Sequence, residues 1–145
     1  MADFVFNIAK GAVAYYATLP ASSDALIVIP IESSGVESDA TLVDYDTVSA
    51  LLAATNDEQS TMGRKTITSV TVTVDDGNDR VDVDIADQTW SAATGNAVSD
   101  LLIAYDPDTT GGDDSTLIPL TWHDFSVTPD GSDITATIAN FYRAS

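Results

Sequence analysis

The sequence predicts a mainly β, single-domain fold: a β-sandwich or barrel-like antiparallel sheet with one or two short helices. Three observations carry this. Thr66–Asp87 alternates apolar and polar side chains on both arms of a hairpin, with Val70, Val72 and Val74 on one arm and Val81, Val83 and Ile85 on the other. A period of two places one set of side chains in a core and the other in water. Several further short apolar runs are separated by Gly-, Asp- and Pro-rich turns, as in all-β domains. Helical signal is sparse and is clearest at Asp46–Ala54.

Taken in order, residues 1–20 form an N-terminal segment read as a short strand, Phe4 to Phe6, followed by a helix over 8–18. Ile8, Ala12, Tyr15, Tyr16 and Leu19 share one helical face, Asn7 is a candidate N-cap, and Pro20 follows the helix. The segment is also a candidate anchoring arm, and residues 21–145 form the β-rich domain. Ala25–Ile31 (ALIVIPI) reads as a strand buried on both faces, with Pro30 arguing for its end or for an edge. Glu32–Asp39 is a polar loop. The helix over 46–54 takes Asp46 as its N-cap and buries Val48, Leu51 and Leu52. In the central hairpin, Asp75–Asp79 (DDGND) is the loop, since Gly and Asn tolerate positive φ. Strands are then expected at Asp100–Tyr105, Thr116–Trp122, Phe125–Val127 and Asp133–Ala139, with Pro119 marking an edge or a bulge. Trp90 and Trp122 are expected in the core.

Composition narrows the function. The chain has 145 residues and no cysteine, which excludes disulfides and thiolate metal sites. Its 23 acidic and 5 basic residues give a formal charge of −18. A field of that sign repels phosphate backbones and anionic lipid, so neither nucleic acid nor a membrane is an expected partner. With 44% hydrophobic residues the chain is not an acidic disordered tail. No signal-peptide pattern and no run approaching ~18 apolar residues is present.

No catalytic constellation is legible, and the expectation is a non-enzymatic protein without cofactor. His123 is the only histidine, and its neighbour Asp124 points to the opposite face of a strand. No G-x-S-x-G elbow occurs. Asp106–Gly111 begins like a calcium loop, but the twelfth position is Leu117, where a bidentate Glu is required. That loop, and Asp75, Asp76 and Asp79, read as solvated turns. The aromatic residues are more informative. Phe4, Phe6, Tyr15, Tyr16, Phe141 and Tyr142 lie near the two ends, where chains are ordinarily polar and frayed. Either they pack on the domain or they anchor a partner, and they are the candidate partner-binding residues.

Three stretches carry a resemblance: DFVFNIAKGAVAYYATLP, SDATLVDYDTVSALLAATN, and NDRVDVDIADQTWSAATGNAVSDLLIAYDPDTT continued by LIPLTWHDFSVTPDGSDITATI. Together they span nearly the whole chain and resemble small virion structural proteins of tailed bacteriophages, particularly phages of actinobacteria. The resemblance implies a minor capsid, decoration or cement protein on the outer surface of the capsid. It implies the major capsid protein as partner and a homo-oligomer, with a trimer favoured by closed symmetry. It transfers no functional residue. A tail or head–tail accessory or host-recognition module is the alternative, and a calcium-supported carbohydrate-active domain a more distant one.

Overall fold

The computed structural model describes residues 2–145. Its centre is built from the longest apolar runs. Strands β2 (Ala25–Glu32), β7 (Val98–Asp106) and β8 (Ile118–Val127) lie side by side, antiparallel, with β1 (Phe4–Val5) and β3 (Lys65–Ile67) completing a five-stranded sheet in the order β1-β8-β7-β2-β3. A second sheet has the order β10-β5-β4, from β4 (Thr71–Asp75), β5 (Arg80–Asp84) and β10 (Tyr142–Ala144). A third pairs β6 (Gln88–Trp90) with β9 (Ile134–Ala136). The sheets stay open and form a small sandwich-like domain, not a closed barrel.

Both faces of the central sheet are buried, which is why β2 and β7 read as continuous apolar runs. On one face, Leu26, Val28, Leu101, Ile103 and Tyr105 meet Ile85, Trp90, Ile134 and Ala136 from the smaller sheets, together with Ala9 and Val13. On the other, Ile27, Ile29, Leu102 and Trp122 meet Phe6 and the helical residues Leu42, Val48 and Leu51. The organising element is therefore this sheet. The hairpin β4–β5 is one layer laid on it, and Val74 on its arm is 68% exposed.

Pro30 lies inside a central strand rather than at its end, paired with Leu101 of β7. Gln59 N–H donates to the Pro30 carbonyl at 2.9 Å from the side away from β7. In an extended residue N and C=O point the same way, so the missing Pro30 donor removes no bond to β7. Pro119 does mark a bulge: it pairs with Ala104 while Thr121 pairs with Ile103, leaving Leu120 as the extra residue. The expected strands at 116–122 and 125–127 are one continuous β8. The final expected strand shortens to β9, and β10 follows it beyond a bend at Asn140, whose φ is +58°.

The helices differ most from expectation. The helix over 8–18 is two pieces, a 3-10 turn at Asn7–Ala9 and helix α1 (Val13–Ala17). Gly11, at φ +78°, separates them. The buried stripe is Ala9, Val13 and Ala17, spaced by four, while Ile8 and Tyr15 face water. Asn7 caps nothing; the cap position is Phe6. A short α2 (Asp39–Leu42) precedes α3 (Val48–Leu52). The N-cap of α3 is Thr47, whose hydroxyl accepts from Ala50 N–H at 3.1 Å, not Asp46. Residues 2–20 are not a separate arm, since β1 pairs with β8 and Phe6 is fully buried.

Candidate functional site

The six aromatic residues of the chain ends divide between the two faces of the central sheet. Phe4 stacks on Trp122 with centroids 6.0 Å apart, and Phe6 meets the same indole edge-on at 6.4 Å. Across the sheet, Tyr16 stacks on Tyr105 at 4.7 Å, and Phe141 meets the His123 ring edge-on at 6.3 Å. Tyr142 lies in β10 opposite Val83. Tyr15 touches Tyr16 at 5.6 Å but is 61% exposed. The six do not form one patch. Phe6 is closed to any partner, and Tyr15 is the one ring of the six that is mostly in water.

What the structure does bring together is a cavity that no local pattern announces. It lies between the β2–β7–β8 face and residues 137–141, a strap joining β9 to β10, and has a volume of about 220 Å³. Val28, Leu101 and Ile103 line its sheet side, and Phe125, Ile138 and Phe141 are the large apolar residues of its other walls. The strap is tied from behind by two carboxylates: Asp87 Oδ1 accepts from Ile138 N–H at 2.7 Å, and Asp84 Oδ1 from Asn140 N–H at 3.0 Å. Asp84 follows from the β5 alternation, which turns it away from Val81 and Val83; Asp87 lies beyond the end of β5.

His123 sits at this cavity in a string of polar contacts. Its Nδ1 lies 3.2 Å from Asp3 Oδ2, and its Nε2 lies 2.9 Å from Thr121 Oγ1. A neutral ring protonated at Nδ1 satisfies both, donating to Asp3 and accepting from the Thr121 hydroxyl. Asp3 Oδ1 also accepts from Asp124 N–H at 2.9 Å. Acid, imidazole and hydroxyl in line have the form of a nucleophilic triad, but Thr121 is only 1% exposed. Its oxygen is not presented to a substrate, so the string orients the imidazole and fastens β1 to β8. The i, i+2 spacing of Thr121 and His123 on a strand was visible in sequence. Asp3, at the far end of the chain, was not.

Several other acidic groups are engaged internally. Asp100 is 1% exposed; Trp122 Nε1–H donates to its Oδ1 at 2.8 Å, and the Ser99 hydroxyl donates to Oδ2. Burial pushes its pKa up, and the charge of Asp124, its cross-strand partner, adds to this against the two donors. In the 106–114 loop, Asp106 Oδ1 accepts from Asp108 N–H and Asp108 Oδ1 from Thr110 N–H, each at 3.0 Å, while Asp113 Oδ1 accepts from Ser115 N–H at 2.8 Å. Asp114 is held by Arg64, whose guanidinium also grips Glu58, with contacts of 2.6 Å to each acid. That ion pair lowers the Asp114 pKa and raises that of Arg64. Asp75 spends its oxygens on Asn78 and Arg80. Among the described residues no group of three or more His, Asp or Glu side chains is arranged around a common metal position, and no helix is long and apolar enough to cross a membrane.

No family model, no curated protein and no solved structure matches the chain.

Proposed function

We propose that the protein is a non-enzymatic structural component of a tailed-phage virion, a decoration or cement protein held on the outer surface of the capsid by the major capsid protein. The observation that carries this reading is the docking of both chain ends. β1 is paired into the central sheet and β10 into the β4–β5 sheet. The chain thus meets a shell as a preformed body and loses little conformational entropy on binding. The resemblance over nearly the whole chain supports the same role.

Charge adds to it. Three of the basic side chains, Arg64, Arg80 and Arg143, are neutralised by the protein's own carboxylates. The outward field is strongly acidic and suits a particle exterior that must stay dispersed. Attachment would work through repeated weak contacts. A trimer on a three-fold position bridges several shell subunits, so effective concentration multiplies the individual affinities. Binding the assembled shell in preference to free subunits stabilises it.

Purified virions test this directly. The expected result is the chain at high copy number, with density at three-fold or quasi-three-fold positions of the head. A handful of copies per particle sinks the capsid reading. Antibody label confined to the tail would assign the protein to a tail or head–tail accessory role.

A further inference from the structure

We infer that the cavity beneath the 137–141 strap is a receptor for one ring-bearing apolar side chain, presented by a partner segment with basic residues beside that ring. The inference rests on reading the protein as a binding body, not on where in a virion it binds.

Size comes first. At about 220 Å³ the cavity exceeds the ~150 Å³ that accepts a benzene ring. It falls short of the roughly 300–1,000 Å³ typical of pockets for whole small molecules and cofactors. One side chain fits that interval. The lining agrees, since Leu101, Ile103, Phe125, Ile138 and Phe141 give the space an apolar wall beside its polar residues. Phe125, Phe141 and the His123 ring offer edges and faces to an incoming ring. The strap is already fixed by Asp84 and Asp87, so the receptor exists before the partner arrives.

Charge identifies the partner's flanks. Two carboxylates, Asp3 and Asp124, line the cavity, and Asp84 and Asp87 hold its strap from behind. None of the five Lys and Arg side chains lines the cavity. Arg143, nearest along the chain, is spent on Asp82 at 2.6 Å. A partner with Lys or Arg next to its ring gains at this rim, and an acidic one is repelled. A second copy offers the exposed Tyr15, but it also brings its own charge of −18. That repulsion makes it the poorer occupant.

The test uses the full chain, labelled with 15N and titrated at low salt with three blocked tripeptides: Lys-Phe-Lys, Glu-Phe-Glu and Lys-Ala-Lys. The expected result is saturable movement of the Leu101, His123, Ile138 and Phe141 amide signals with Lys-Phe-Lys. Binding should be at least about five-fold tighter than for Glu-Phe-Glu, and Lys-Ala-Lys should produce no movement. Ala139→Trp, at an exposed strap position, should abolish the response while the spectrum stays dispersed. If that variant misfolds, Thr137→Trp takes its place. No response at millimolar Lys-Phe-Lys, an equal response to Glu-Phe-Glu, or binding that survives the blocking variant would overturn the inference. So would self-association lost in Tyr15→Ala, which would assign the cavity to a second copy. No virion component enters this assay, so its failure leaves the capsid reading standing. Discovery of the chain on a tail would likewise leave the receptor intact.

Discussion

Aromatic residues a few positions apart in the N-terminal segment have opposite roles. Phe6 is fully buried against Trp122, whereas Tyr15 is mostly in water. Phe6→Ala should cost roughly 3–5 kcal/mol in urea unfolding through the void it leaves. Tyr15→Ala should stay within about 0.5 kcal/mol. Asp100 gives a second test, by pH. Its folded pKa is raised by burial, so the folded state holds this proton more tightly than the unfolded chain. The resulting stability is present below the ordinary carboxylate range and is lost as pH rises through the raised value. Asp100→Asn keeps an acceptor for Trp122 Nε1–H and removes the buried charge. It should melt above the wild type near pH 7, and the gap should close toward about pH 3. A variant that melts lower at neutral pH would show that the ionised form is the one this site favours.

Elements were legible where their signal was local. The alternation of Val81, Val83 and Ile85 located β5, and the ALIVIPI run located β2 with both faces buried. Two features were not legible. The helix over 8–18 looked continuous because Tyr15 and Tyr16 completed an apolar stripe, while the break at Gly11 depends on a φ that sequence does not display. The cavity was hidden because its walls come from β2, β7, β8 and the strap, whose adjacency is a property of topology. The Arg64 clasp is likewise non-local, joining the 57–63 turn to the 106–116 loop. Arg64→Ala should cost about 2 kcal/mol, because two partly buried carboxylates lose charge-assisted bonds. Arg64→Lys should recover less than half, since an ammonium lacks the fork that meets both acids. Urea titrations of the two variants measure this, and full recovery by Lys would reduce the clasp to simple charge attraction.

At the level of the whole molecule, the central sheet joins distant parts of the chain. Phe4 pairs with Trp122, and Val28 with Ile103. Biosynthesis delivers these segments one after another. When half the chain has left the ribosome, β2 has only the three-residue β3 to pair with, and its long partner β7 is still unmade. Loop closure over such separations makes folding slow, and until it is complete an apolar strand stands open to other chains. Pro30 within the run, with Asp24 and Glu32 at its borders, interrupts the segment where intermolecular strand pairing would otherwise begin. The proline that costs the finished sheet no hydrogen bond to β7 thus protects the chain during the interval before that sheet exists.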